Sequence, residues 1–107
     1  MELREIETFL AIVEQGTFSK AAEKLGYSQS AVTVQIKQLE HELGARLFDR
    51  VPRGAVLTEQ GRAFAFHANE IAGAARAAKA SVASSQAAPQ DIVGVLRLGS
   101  VESVATA

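Results

Sequence analysis

Residues 17–43 read TFSKAAEKLGYSQSAVTVQIKQLEHEL, and their spacing is that of two helices joined by one tight turn. The side chains of Ala21 and Ala22 are small enough for a short helix to pack close against a neighbour. Gly26 stands where a helix ends on a residue of positive φ. Ser28 stands where an N-cap accepts from the free N–H groups of the helix that follows. A short helix, a glycine turn and a capped longer helix make a helix-turn-helix, whose second helix enters the major groove of DNA.

On the N-terminal side, Leu3, Ile6, Phe9, Leu10 and Val13 recur at helical spacing up to Gly16, which marks a first helix with its glutamates outward. Ser19 is the expected cap of the second helix, residues 20–25, and Tyr27 enters the turn. The third helix, residues 29–43, carries Val32, Ile36, Leu39 and Leu43 on one face at steps of four, three and four. Ser30, Thr33, Val34, Lys37 and His41 form another face, so one side can pack while the other reads a groove. Gly44 ends this helix.

On the C-terminal side, Val51-Pro52-Arg53-Gly54-Ala55 lies between two strand-like runs and reads as a hairpin loop, a wing whose tip carries Arg50 and Arg53. Thr58 caps a long helix that reaches about Ser84. Within it Phe64, Ala68, Ile71, Ala75, Ala78 and Val82 follow steps of four, three, four, three and four. That heptad spacing calls for a partner helix. A helix of ~26 residues spans about 40 Å, more than a small winged domain covers, so the seam is read as a homodimer contact. The run Ser84-Ser85-Gln86-Ala87-Ala88-Pro89-Gln90 breaks the pattern as a hinge. The strand-like run IVGVLRLG that follows has nothing obvious to pair with and reads as the cut edge of a further domain.

At 107 residues the chain has one domain's worth of length, and its 48% apolar content, much of it alanine, suffices for a core. It has no cysteine, which excludes a disulfide framework, a thiolate nucleophile and a zinc–thiolate site. No apolar run approaches the ~20 residues of a membrane span. The opening MELREIETF lacks the pattern of a signal peptide, so a soluble cytoplasmic protein is expected. Net charge is −1, but it is unevenly spread. Residues 1–19 carry one arginine against four glutamates, whereas residues 20–62 carry seven Lys/Arg against five acids. The excess positive charge lies in the helix-turn-helix and wing and is modest, so binding would lean on geometry and dimerisation more than on bulk charge. His41 and His67 have no histidine partner at i+3 or i+4, and Glu40 and Glu42 face different sides of a helix turn. No glycine-rich phosphate loop or Ser–His–Asp spacing occurs. The chain is read as neither enzyme nor metalloprotein, with no cofactor.

The blocks LREIETFLAIVEQGTFSKAAEKL, YSQSAVTVQIKQLEHELGARLFDR and VLTEQGRAF together resemble the N-terminal part of a LysR-type transcriptional regulator, from Met1 to about Gly99. The resemblance implies a mainly α fold. Residues 1–58 would form a winged helix-turn-helix of three helices plus a two-stranded wing, and residues 59–84 a long dimerisation linker helix. Residues 85–91 would be a hinge. Residues 92–107 would be the truncated start of an effector-binding domain of periplasmic-binding-protein type, whose first strand GVLRLGS is similar to.

Carried over position by position, Ser28, Gln29, Ser30, Thr33, Val34 and Lys37 fall near DNA. Ser30 stands where many members have proline, and Val34 where many have a basic residue. Valine there offers only an apolar contact, such as one to a thymine methyl. Gln29 suits an adenine edge. Ser30 and Thr33 are small donors for base or phosphate, and Lys37 suits phosphate. Arg53 suits phosphate or the minor groove, whereas Arg50 has competing partners in Asp49 and Glu59. The implied function is sequence-specific binding of a dyad-symmetric double-stranded DNA operator by a homodimer that regulates transcription. A small-molecule effector would act only in the missing domain, and no membrane is involved. The low charge motivates a competing reading, a dimerisation and assembly module that binds little DNA without its effector domain.

Overall fold

The computed structural model describes residues 1–87. Helix α1 (Leu3–Gln15) opens on a reciprocal capping box. The Glu5 carboxylate accepts the Glu2 N–H at 3.2 Å, while the Glu2 side chain accepts from the helix's third residue. That bond turns Glu5 inward, so it is buried where the other glutamates are not. Ile6, Phe9, Ala11 and Ile12 face the core, and Val13, expected there, is 40% exposed. Gly16 closes α1 at a φ of 86°.

Helix α2 (Phe18–Leu25) begins two residues earlier than expected, and its cap is Thr17 rather than Ser19. Thr17 Oγ1 accepts the Lys20 N–H at 2.9 Å. The earlier start places Phe18 inside, where its ring is buried against Phe48. Helix α3 (Gln29–Leu43) has the expected bounds. Ser28 Oγ accepts the Ala31 N–H at 3.1 Å, and Gly44 ends the helix. Val32, Ile36 and Leu39 are buried, but Leu43, in the last turn, is exposed.

Strands β1 (Phe48–Val51) and β2 (Gly54–Leu57) pair antiparallel, with Phe48 opposite Leu57 and Val51 opposite Gly54. Only Pro52 and Arg53 form the loop, so Arg50 lies within β1 opposite Ala55 and not at the wing tip. The wing is sutured to the α1–α2 turn by the Ala55 N–H, which donates to Gly16 O at 3.0 Å. A Cβ on Gly54 would come within 2.5 Å of that same oxygen, so only glycine permits the approach.

Helix α4 (Glu59–Ala87) is capped by Thr58, whose Oγ1 accepts the Gly61 N–H at 2.9 Å. It runs three residues past Ser84, into the expected hinge, because the sequence offers no helix breaker before Pro89. The rest of the expected hinge and the strand-like run after it lie outside the described residues.

The chain divides into two units, Met1–Gly73 and Ala74–Ala107. The core of the first centres on Phe9, whose ring lies 5.2 Å from Phe48 and 5.0 Å from Phe64. Ile12, Ile36, Leu39 and Leu47 complete it, fully buried, each contributing about 1.5–3 kcal/mol. These contacts fix α1, α3, the wing and the start of α4 around one centre, leaving the outer face of α3 free. In the second unit, the part described is helix, with Ala78 and Val82 exposed. Among the described residues, no helix is long and apolar enough to cross a membrane.

Candidate nucleic-acid interface

The outer face of α3 begins at its cap. The Ser28 hydroxyl spends a lone pair on the Ala31 N–H and lies 3.2 Å from Ser30 Oγ, so capping and any outside contact draw on one group. Gln29 and Ser30 follow, exposed in the first turn, where unpaired backbone N–H groups and the helix dipole favour anionic partners. Thr33 is half-buried, whereas Val34, Lys37, Gln38 and His41 are exposed. The last four line one shallow hollow. Gln38 is absent from the expected site. Its place four residues after Val34 was the signal that could have found it.

A second hollow lies between the starts of α2 and α3 and the wing, and its lining includes Ser19, Gln29, Arg50 and Arg53. Ser19, expected as a cap, therefore joins the candidate surface instead.

Two cations are spent on carboxylates of the chain itself. Lys24 is spent on Glu14, clasping α2 to α1, and Arg46 on Asp49. The hydrogen bond from Lys24, reinforced by its charge, holds the Glu14 carboxyl below its ordinary pKa. Lys37, Arg50 and Arg53, by contrast, have no carboxylate in ion-pair range among the described residues. Arg50 takes neither Asp49 nor Glu59. Its guanidinium lies over the Phe18 ring and reaches Thr33. Glu40 is turned away from the outer face, and its Oε2 accepts the Leu47 N–H at 2.8 Å and the Phe48 N–H at 3.4 Å. That carboxylate secures the chain as it leaves α3 for the wing.

The six seam positions on α4 separate. Ala68 is fully buried and Phe64 packs edge-on against Phe9, so both belong to the chain's own core. Ile71 is 36% exposed, Ala75 half-buried, and Ala78 and Val82 exposed. Heptad spacing alone does not distinguish a partner helix from the body of the same chain, and here its first two positions meet the latter. Phe66, off the seam, is 64% exposed with His67 against its ring. Among the described residues, no group of three or more histidines and carboxylates is placed to hold a metal ion.

Residues 3–62 match the family described as bacterial regulatory helix-turn-helix protein, lysR family. The chain is 46% identical over 99 residues to the HTH-type transcriptional regulator ShiR of Corynebacterium glutamicum (strain R), covering 92% of this chain and 32% of that one. It spans about a third of the length of the curated relatives it matches. Among solved structures, it is similar to the CbnR DBD–DNA complex, with a TM-score of 0.72 and 38% identity over 79% of this chain and 99% of that one. It is also similar to the BenM DBD/catB site 1 DNA complex, with a TM-score of 0.77 and 34% identity over 80% of this chain and 96% of that one.

Proposed function

The chain belongs to the lysR family of bacterial regulatory helix-turn-helix proteins, and from that premise we propose that it binds a dyad-symmetric DNA operator as a homodimer and regulates transcription. The observation that carries the reading is the exposed surface shared by α3 and the wing, whose Lys37, Arg50 and Arg53 have no ion-pair partner among the described residues. The likeness to chains solved on DNA supports it.

An α-helix with its side chains is about 10–12 Å across, which suits a major groove about 12 Å wide. Helix α3 enters that groove with Ser28, Gln29 and Ser30 leading. Gln29 pairs with an adenine edge, Thr33 reads a base, and Val34 rests on a thymine methyl. Lys37 fixes register on a phosphate, and Arg53 holds the flanking backbone or minor groove from the wing tip. Two copies join through the exposed part of the α4 seam, Ile71, Ala75, Ala78 and Val82. Two-fold symmetry then sets two half-sites whole helical turns apart.

Fluorescence-anisotropy titrations against duplex DNA at a series of salt concentrations test the groove assignment. Lys37→Ala lowers the salt slope by about one unit per protomer, whereas unchanged slope and affinity contradict the assignment. Sedimentation equilibrium tests the seam. Ile71→Glu yields monomer, and a dimer that survives the change removes the seam. The net charge of −1 favours a second reading, an assembly module. A stable dimer with no affinity for any duplex would establish it.

A further inference from the structure

One side chain joins three elements at the edge of the proposed reading surface. Arg50 on β1 lays its guanidinium over the ring of Phe18 at the start of α2, with Cζ 3.9 Å from the ring centroid. Its Nη2 donates to Thr33 Oγ1 on α3 at 3.5 Å. Phe18 is only 7% exposed and packs edge-on against Phe48, so the platform beneath the guanidinium is fixed. A cation resting on an aromatic face keeps its planar fork oriented, and no carboxylate among the described residues draws this one elsewhere.

The consequence falls on Thr33. A hydroxyl has one proton to donate and two lone pairs to accept with, and its proton rotates to suit its surroundings. A threonine within a helix often gives that proton to the carbonyl four residues back. Among the described residues Thr33 makes no such bond, and the Arg50 donor 3.5 Å from its Oγ1 draws on a lone pair and disfavours a proton on that side. The proton is therefore turned away from Arg50, toward the outer face of α3.

We propose that Arg50 is a positioning residue that fixes Thr33 as a hydrogen-bond donor, so that at one position in each half-site the chain selects a base with a major-groove acceptor and rejects cytosine. In the major groove guanine O6, thymine O4 and the N7 of guanine and adenine accept a hydrogen bond, whereas cytosine offers only its N4 donor. A hydroxyl held as donor pairs with any of these acceptors and meets cytosine proton to proton. The inference rests on the reading that α3 lies in the major groove and assigns the polarity of one contact there.

Selection from a random duplex library, run in parallel on the wild type, Thr33→Val, Arg50→Met and Arg50→Lys, tests it. The wild type depletes cytosine about threefold to tenfold relative to the other bases at one position per half-site, as one net hydrogen bond allows. Thr33→Val and Arg50→Met each flatten that position and spare the others, and the double variant flattens it no further. Arg50→Lys, which keeps a cationic donor, retains part of the preference. Thr33→Val leaves the wing untouched, so its profile remains decisive should Arg50→Met fail to fold. An unchanged profile in either Thr33→Val or a folded Arg50→Met overturns the inference. So does an Arg50→Met variant that binds every sequence more weakly with a salt slope lower by about one, because Arg50 would then be a phosphate contact. A wild type that enriches no sequence is a different result, and it overturns the groove reading itself.

Discussion

Replacing Gly61 by alanine should destabilise this chain, even though it removes a glycine from a helix. On propensity alone the change gains about 1 kcal/mol, most of it because the stiffer unfolded chain has less entropy to lose. The surroundings reverse the sign. Gly61 is buried, and a Cβ there would lie 2.1 Å from Leu47 O and 2.9 Å from Leu57 Cδ2. The nearer atom is backbone, so no rotamer change relieves the contact. Overpacking of this kind costs about 1–3 kcal/mol. Withdrawing the first turn of α4 also weakens the bond from the Thr58 N–H to Leu47 O, now 3.0 Å, at about 1 kcal/mol.

The opposing terms leave a net loss of about 1–3 kcal/mol, or a drop in Tm of about 5–20 °C for a domain of this size. Urea unfolding followed by circular dichroism measures it. Ala63→Gly, at an exposed position on the same helix, serves as the control and loses about 1 kcal/mol by propensity alone. Glycine and alanine thus exchange in opposite directions two residues apart, each at a loss. A Gly61→Ala variant as stable as the wild type, or more so, would refute the close approach of α4 to the start of the wing.

Glu40→Ala leaves the Leu47 and Phe48 N–H groups without their shared acceptor and should cost about 1–3 kcal/mol in urea unfolding; a loss no greater than that of Gln38→Ala, at an exposed position on the same helix, would contradict that role. Ser28→Asp should keep the cap of α3, and hence stability within about 0.5 kcal/mol. It should weaken DNA binding by setting a negative charge against phosphate, and unaltered affinity would take Ser28 out of the interface. The carboxyl of Glu14, followed by NMR, should titrate below its ordinary value and return toward it in Lys24→Met. Because the folded pKa is the lower one, this clasp supports the fold above the unfolded pKa and is lost as pH falls through the folded value. A pH-independent contribution to stability would contradict it.

What could be read from the sequence was local. Gly16, Ser28 and Gly44 sit at helix ends whose geometry their own backbone or side chains decide, and they fixed the bounds of α3 and the end of α1. Thr17 and Ser19 are both good caps, and only the burial of Phe18 decides between them. Tertiary contact likewise decides which positions of a periodic face are covered. Val13 and Leu43 fit the spacing but lie beyond the core's reach, while Phe64 and Ala68 fit a partner seam and are taken by Phe9 and its neighbours. Arg50 was legible as a cation of the wing, but not its partners. Phe18 and Thr33 are far from it in sequence and meet it only because α2, α3 and β1 converge.

Two copies of this chain are proposed to read a symmetric duplex through α3. Selection of the wild-type chain on a random duplex library at two salt concentrations tests it most directly. One dyad-symmetric sequence should be enriched at both, with half-sites whole helical turns apart. Enrichment that vanishes at the higher salt and shows no dyad at the lower would contradict it.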